Sequence, residues 1–209
     1  MITSKKEYYI YLETDRKSLE LRFNIKNLLF NKVWRFQRLL RHYEYRLNCR
    51  NKGINKIINL WFFYRYRKIG SSLNFTIAPN VFGAGLSIAH YGTIVINDSV
   101  RIGRNCRIHT CTNIGRNVNE KNTPVLGDNV YIGPGAVIFG EIKIADNVYI
   151  GANAVVNKSI LQANVVIAGV PAKIISTHEF KRVDYYDETC IDFKERNRLK
   201  WLLYSIFSI

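Results

Sequence analysis

The fold is decided by residues 126–150, which read LGDNVYIGPGAVIFGEIKIADNVYI. A branched aliphatic residue stands at every sixth position of this stretch, beginning at Leu126. The same spacing runs from Ile96 to Val156, where ten of eleven positions are aliphatic and Glu120 is the exception. The positions three residues later, from Ser99 to Asn153, contain no aliphatic residue. The spacing is therefore a repeat and not a general excess of apolar residues.

A second, often smaller residue precedes many of these aliphatic positions by two, as at Val100, Cys106, Ala136 and Ala154. Alternate side chains of a strand point to the same face, so such a pair defines a short strand with two inward residues. Neighbouring Gly, Asn and Asp permit the corners between strands. Three six-residue sides close a triangular coil of about 18 residues, and stacked coils bury one aliphatic column. An amphipathic helix is excluded, because six residues do not match the helical period.

The break at Glu120 lies in a polar stretch from Gly115 to Pro124. A polar residue at an inward position indicates that this side of the coil leaves the wall as an exposed loop. Insertions in repeat proteins map to loops on one face, which is often the binding face.

The charge is concentrated at one end of the chain. The whole sequence carries a formal charge of +15, and residues 1–75 contain 17 Lys or Arg against 5 Asp or Glu. Residues 16–48 and 54–68 have helical character and interleave aromatic with cationic side chains. Three interpretations stay open for this segment: a cap or oligomer contact, an anionic membrane surface, or nucleic acid, which is disfavoured because no fold for it is recognised.

We therefore divide the chain into a basic helical segment (1–74), a solenoid (75–175) and a C-terminal tail (176–209). The tail ends in a cationic turn and an apolar run that is predicted to be helical, too short to span a bilayer but long enough to enter its surface. No secretory signal or spanning segment is expected, and the cysteines match no zinc spacing. These features predict a cytoplasmic protein, with peripheral contact at the inner face of the cell membrane as an option.

Two further strings resemble a known family. Residues 85–93 read GLSIAHYGT and residues 167–175 read IAGVPAKII. With the repeat, they resemble the hexapeptide-repeat acyltransferases, particularly the branch of serine O-acetyltransferases and surface-polysaccharide O-acetyltransferases. The resemblance covers about residues 75–175. It implies a left-handed parallel β-helix, a homotrimer, and acetyl-CoA bound between neighbouring solenoids.

The resemblance also implies site residues. His90 stands where this branch carries its catalytic histidine, and an imidazole suits a base that removes a hydroxyl proton near neutral pH. Donor contacts are expected at four further positions, and no metal is expected: Gly133, Ala152, Ala168 and Lys173. Three residues are candidates for contacting the acceptor or supporting the histidine: His109, Asn122 and Thr76.

Four residues, in three places of the sequence, depart from the pattern of the serine enzymes. Ala89 stands where they carry an Asp before the histidine, Asn122 and Thr123 replace an Arg-His pair, and Thr76 is the nearest match to the Asp that orients the histidine. A zwitterionic acceptor needs a partner for each of its charges, whereas a neutral sugar hydroxyl needs neither. The sequence therefore favours a saccharide acceptor in capsule or lipopolysaccharide biosynthesis, with serine O-acetylation as the alternative.

Two other classes stay open. A zinc enzyme on the same solenoid, such as a carbonic anhydrase, needs three imidazoles, and the solenoid contains only His90 and His109. A scaffold that has lost catalysis would retain the repeat without binding acetyl-CoA.

Overall fold

The computed structural model describes residues 1–118 and 120–177. The helices are α1 (Lys5–Ser18), α2 (Ile25–Phe30), α3 (Lys32–Cys49) and α4 (Asn55–Ser72). The strands that follow are short: β1 (Phe75–Thr76), β2 (Ser87–Ile88), β3 (Ile94–Ile96), β4 (Arg101–Ile102), β5 (Arg107–Ile108), β6 (Thr112–Gly115), β7 (Val125–Leu126), β8 (Tyr131–Ile132), β9 (Val137–Phe139), β10 (Lys143–Ile144), β11 (Val148–Ile150), β12 (Val155–Val156), β13 (Val165–Ala168) and β14 (Lys173–Thr177).

The strands form the three faces of a left-handed parallel β-helix, which confirms the predicted fold class. One face has the strand order β1-β3-β6-β9-β12, the second β10-β7-β4, and the third β14-β13-β11-β8-β5-β2. Parallel partners lie 18 residues apart where the coils are regular, as for Ile94 with Thr112 and Tyr131 with Tyr149. Each coil is therefore three six-residue sides, as the repeat predicts.

The inward column is buried as predicted. Ile108, Ile132, Ile138 and Ile150 are all 0% exposed, and the smaller Cys106 is 1% exposed. The burial of each isoleucine contributes about 1.5–3 kcal/mol relative to an exposed side chain. The stacked coils therefore share a single aliphatic core.

Asparagines hold one corner of the coils. Asn105, Asn129 and Asn147 have φ values of 58°, 59° and 57°, in the left-handed region that Asn tolerates better than most residues. Their side chains also form a ladder, in which Asn105 donates to Asn129 at 2.8 Å and Asn129 donates to Asn147 at 2.9 Å. The non-aliphatic positions of the repeat are therefore structural corners.

The break at Glu120 is an exposed loop that inserts six residues into one coil. Partners on either side of it lie 24 residues apart, as for Arg107 with Tyr131. The Glu120 carboxylate accepts a hydrogen bond from the backbone N–H of Glu141 in the next coil. Asn122 donates to the Glu141 carboxylate at 2.7 Å. The insertion preserves the phase of the repeat, because its length equals one side of a coil.

The end of the solenoid differs from the prediction that the repeat continues to Ile175. The last parallel strand is β13, and β14 returns antiparallel to it, with Val165 opposite Thr177. Gly169 has a φ of 99°, which favours glycine, and Pro171 has no N–H to donate to a sheet. These two residues reverse the chain, so the IAGVPAKII string forms a hairpin and not a further side.

Helix α1 begins before residues 16–48, the first stretch for which helical character was predicted. The interpretation of residues 16–48 as one helical piece missed α1 and the break between α1 and α2. Ser4 caps α1 by accepting a hydrogen bond from the Glu7 N–H at 3.1 Å. The Ser4…Glu7 spacing is typical of a capping box and was the available sequence signal for this helix.

The helices α3 and α4 cap the first coil. Phe36, Leu40, Phe62 and Tyr66 belong to the same continuous buried cluster as Ile77 of the solenoid. The inner faces of α3 and α4 therefore act as a cap, which is one of the three interpretations given for the basic segment. The predicted helical tail, apart from Ser176 and Thr177, lies outside the described residues.

A buried ion cluster joins the cap to the solenoid. Arg41 of α3 is 0% exposed and contacts the carboxylates of Asp15 at 2.8 Å and Glu44 at 3.0 Å. It also donates to the carbonyl oxygens of Phe82 at 2.9 Å and Gly83 at 2.6 Å. Burial disfavours the charged guanidinium, but the attraction of both carboxylates outweighs this and raises the pKa of Arg41 above its ordinary value.

Candidate functional site

One edge of the β-helix carries most of the predicted site residues. The strands β2, β5, β8, β11 and β13 form one face of the solenoid. In this face, the backbone N–H of the residue after each inward isoleucine donates to the carbonyl oxygen of the isoleucine in the next coil. These bonds are Ala89 to Ile108 at 3.1 Å, His109 to Ile132 at 3.1 Å, Gly133 to Ile150 at 2.9 Å and Gly151 to Ile167 at 2.8 Å. Ala89, His109, Gly133, Gly151 and Ala168 therefore stack in one row. We call this row the site edge.

The site edge brings together residues far apart in sequence. His109, Gly133 and Ala168 lie in the row itself, whereas His90 and Ala152 each lie one residue beyond it. Coils are spaced by about 4.8 Å, so the four coil steps from the His90 end to the Ala168 end span about 19 Å. Lys173 is exposed and pairs with Ala168 across the final hairpin, which places it at the far end of the edge.

Aromatic rings line the face next to this edge. The ring centroids of His90 and His109 are 6.5 Å apart, and those of His109 and Tyr131 are 5.1 Å apart. Tyr131 and Tyr149 stack with their centroids 4.1 Å apart and a 5° angle between their planes. His109 therefore lies between the exposed His90 and a stacked tyrosine pair, on the face beside the site edge.

His90 lies in a cleft of about 500 Å³ between the solenoid and the cap. The start of α3 contributes Lys32 to the lining, the end of α4 contributes Ser72, and Tyr91 follows the histidine. His90 is exposed, and within the described chain neither of its ring nitrogens has a hydrogen-bond partner. Within the described residues, no hydrogen bond therefore fixes the orientation of the His90 imidazole.

Sequence reasoning missed Lys32. Lys32 precedes His90 by 58 positions in the sequence. It lies in α3, which contains no repeat that would align it with the solenoid. Only the packing of α3 on the first coil brings this cation into the His90 cleft. The described lining of the cleft contains cationic and neutral polar groups and no carboxylate.

Two of the candidate residues do not join the cleft. Asn122 is exposed in the inserted loop and bonded to Glu141. Thr76 is exposed on β1 and lines a different cleft of about 560 Å³, between α4 and the solenoid, together with Arg67 and Arg116. In the described chain, Thr76 and His90 therefore line different clefts.

Gly133 has a structural reason to be glycine. A Cβ atom there would meet the backbone N of Ala152 and the backbone O of Ile150, each at 2.8 Å. Real Cβ contacts are longer, and backbone atoms cannot easily give way. Coil stacking alone therefore requires this glycine, whether or not a ligand approaches it.

Comparisons with known proteins agree with this architecture. The family described as bacterial transferase hexapeptide (six repeats) matches residues 123–158. A serine acetyltransferase of Buchnera aphidicola subsp. Acyrthosiphon pisum is 31% identical over 143 residues, covering 66% of this chain and 49% of the relative. One of Mycobacterium tuberculosis is 39% identical over 97 residues, covering 46% of this chain and 42% of the relative. The chain thus spans about half the length of the curated relatives it matches.

Solved structures give the same result. The crystal structure of serine acetyltransferase from Brucella abortus superposes with a TM-score of 0.66 at 25% identity, covering 82% of this chain and 70% of that one. A complex of that enzyme with coenzyme A superposes with a TM-score of 0.68 at 24% identity, covering 83% and 70%, and supports the fold alone. The hexapeptide-repeat transferases are the family that this chain resembles in both sequence and fold. Within that family, both curated relatives reported above are serine acetyltransferases.

The prediction of a saccharide acceptor and of polysaccharide biosynthesis was wrong. It is overturned by the relatives, which are serine acetyltransferases in sequence and in structure. The prediction relied on four substituted positions, at Ala89, Asn122, Thr123 and Thr76. Those substitutions exclude particular side chains but not other residues that packing brings to the cleft, as Lys32 illustrates.

Proposed function

We propose that this protein transfers an acetyl group from acetyl-CoA to the hydroxyl of L-serine. The observation that carries the proposal is the 31% identity over 143 residues to a serine acetyltransferase. The joint position of His90 and Lys32 in one cleft supports it, because a base and a cation suit an amino-acid hydroxyl acceptor.

His90 acts as the general base in this proposal. Its imidazole takes the proton of the serine hydroxyl while the serine oxygen forms a bond to the thioester carbonyl carbon. The resulting tetrahedral species collapses with cleavage of the carbon–sulfur bond, and the imidazolium returns its proton to the departing thiolate. The products are O-acetylserine and free CoA, with no other reactant. Such a base typically contributes roughly 10²–10⁴-fold to the rate.

The donor lies along the site edge in this proposal. Gly133 and Ala152 offer backbone groups without bulky side chains, and Ala168 marks the far end of the row. Lys173 is exposed beside Ala168, where its ammonium group suits the phosphates of CoA. The span of about 19 Å from the His90 end separates the thioester from those phosphates by four coil steps.

Lys32 holds the acceptor carboxylate in this proposal. The residue is exposed in the cleft and is not an ion-pair partner of any described carboxylate. A zwitterionic acceptor needs a cation for its carboxylate and an anion for its ammonium group. Lys32 supplies the cation, which the substituted motif positions lack. We further propose a homotrimer, in which a neighbouring solenoid completes the donor groove, as the family resemblance implies.

The direct test is acceptor-dependent release of CoA. Wild-type protein is incubated with acetyl-CoA and L-serine, D-serine or neutral monosaccharides, and free thiol is followed by a colorimetric reagent. We expect saturable release with L-serine alone, and loss of at least about 100-fold in kcat for His90→Asn. Thr93→Ala, a change at an exposed residue near the histidine, is the control and should retain activity.

The outcomes separate the parts of the proposal. Absence of L-serine-dependent release from protein that binds acetyl-CoA in calorimetry would reject the acceptor. Full activity of His90→Asn would reject the base while leaving the acceptor intact. A failure to bind CoA at all would favour the scaffold interpretation.

A further inference from the structure

The outward side of α4 is an apolar face that the described chain leaves uncovered. The inward side of the helix packs on the cap through Asn59, Phe62, Tyr66 and Gly70. The opposite side exposes large apolar side chains, which we call the α4 face: Ile54 (69% exposed), Ile57 (65%), Leu60 (67%), Trp61 (44%) and Tyr64 (60%). Exposure of so many large apolar residues on one side of a single helix indicates a binding surface.

Cations border the α4 face and acids are absent from it. Helix α4 contains Lys56, Arg65, Arg67 and Lys68 and no Asp or Glu. The sequence contains no acidic residue at all between Glu44 and Asp98. The surface is therefore both apolar and uniformly positive, which complements an anionic and partly apolar partner.

The cations and aromatic rings of the face are paired. The Arg65 guanidinium lies over the Trp61 ring at 4.8 Å, and the Lys68 ammonium lies over the Tyr64 ring at 5.8 Å. Trp and Tyr favour membrane–water interfaces, where a ring sits at headgroup depth, and Lys and Arg can extend their charged ends towards phosphates. Both kinds of residue can then contact lipid at the same time.

Two other occupants fit less well. A second copy of the α4 face would oppose like charges, since the helix has no acid to pair with a neighbour's cations. Nucleic acid would use the cations and rings, but it offers nothing to Ile54, Ile57 and Leu60. No described helix is long and apolar enough to cross a membrane, so contact at the surface is the arrangement to consider.

We propose that the α4 face binds the surface of an anionic lipid bilayer. The helix lies in the interface plane, with its aliphatic side chains among the acyl chains and its aromatic rings and cations at the headgroups. The proposal is independent of the acetyl acceptor, because it uses none of the residues of the site edge. It assigns the charge of the basic segment to membrane attachment, whereas the inner faces of the same helices serve as the cap.

The test is cosedimentation of the full chain with lipid vesicles. Vesicles of phosphatidylcholine alone are compared with vesicles that also contain phosphatidylglycerol. We expect binding to the anionic vesicles only, and release as salt rises from about 0.1 M to 1 M and the Debye length falls from about 10 Å to 3 Å.

Two variants separate the apolar and charged contributions. The apolar variant is Ile57→Ser with Trp61→Ser, and the charge variant is Lys56→Gln, Arg65→Gln and Lys68→Gln. Removing three cations should weaken binding roughly 100-fold, because each contributes about fivefold at an anionic surface. Leu161→Ser is the matched control, since Leu161 is 75% exposed on the solenoid, and it should bind like wild type.

Sedimentation velocity and circular dichroism on each variant decide between the occupants. Retained vesicle binding by the α4 variants would overturn the proposal and assign binding to another part of the chain. Failure of the wild type to bind anionic vesicles would also overturn it. A change in oligomeric state for the apolar variant, with no vesicle binding by the wild type, would identify the face as a contact between copies.

Discussion

Replacement of Arg41 by methionine tests how the helical cap is fixed to the solenoid. The change removes the buried guanidinium that contacts Asp15, Glu44 and two solenoid carbonyl oxygens. Asp15 keeps hydrogen bonds from the N–H groups of Gly85 at 2.8 Å and Leu86 at 2.9 Å. Two buried carboxylates nevertheless lose their counter-charge, and methionine has a similar volume but cannot donate a hydrogen bond.

The expected loss in the free energy of unfolding is about 3–5 kcal/mol, because removal of one partner leaves uncompensated buried charge. The Arg104–Asp128 pair provides the contrast, since those side chains are 45% and 31% exposed. Arg104→Met should cost less than about 1 kcal/mol. Urea unfolding monitored by circular dichroism, at one protomer concentration for all variants, measures both values.

A pH series distinguishes a charge effect from a packing effect. Without Arg41, burial raises the pKa of the Asp15 and Glu44 carboxyl groups with no guanidinium to oppose it. The folded variant then binds protons more readily than the unfolded chain, so its stability should increase relative to wild type as the pH falls from 7 to 5. A loss no larger than that of Arg104→Met, or a deficit that does not change with pH, would refute this account of the cluster.

Three further changes test other parts of the structure. Burial, aided by repulsion from Arg46, lowers the pKa of His42 to about 4. Because the unfolded chain binds this proton at a higher pH than the folded chain, the free energy of unfolding should fall by up to about 3 kcal/mol from pH 6.5 to 4. His42→Gln should remove most of that loss, as measured by urea unfolding. Ile132→Ala, at a 0% exposed position, should cost about 2–5 kcal/mol in thermal or urea unfolding, whereas Val118→Ala, at a 94% exposed position, should cost almost nothing. Lys32→Gln should raise the KM for L-serine roughly tenfold with the KM for acetyl-CoA unchanged, and Lys158→Gln on the exposed solenoid surface should change neither.

Each of these changes has a result that counts against it. Equal acid destabilisation of wild type and His42→Gln would show that another group titrates. A tolerated Ile132→Ala would mean that the inward column does not carry the stability of the coils. An unchanged KM for L-serine in Lys32→Gln would remove this lysine from the acceptor site without affecting the assignment of His90.

The solenoid was predictable because the residues that pack in its core recur every six positions in the sequence. Every coil repeats the same contacts, so Ile132 and Ile150 occupy equivalent inward positions that can be identified by counting. The inserted loop was predictable for the same reason, since a polar Glu120 violates the period. The final hairpin was not predictable from the count, because Ile174 and Ile175 continue the apolar pattern after Gly169 and Pro171 have reversed the chain.

The sequence could not locate the proposed acceptor end of the site, because that end is formed by long-range packing. His90 belongs to the first coils and could be identified from neighbouring residues, whereas Lys32 reaches the same cleft from α3. The buried cluster of Asp15, Arg41 and Glu44 fixes the position of α3 on the solenoid, and its partners are up to 71 residues apart. No period relates such residues, so the four substituted motif positions could not establish what fills the cleft.

The donor and acceptor ends of the proposed site should depend on the cap to different extents. The solenoid edge from His109 to Ala168 is held by backbone ladders that continue through every coil. The position of Lys32 depends instead on α3, which the Arg41 cluster joins to the first coil. Partial disruption of that cluster should therefore weaken L-serine binding before it weakens acetyl-CoA binding. A variant such as Glu44→Gln, assayed well below its unfolding temperature, should show a raised KM for L-serine with an unchanged KM for acetyl-CoA. Equal changes in both constants would indicate that the cap and the coils respond as one rigid unit.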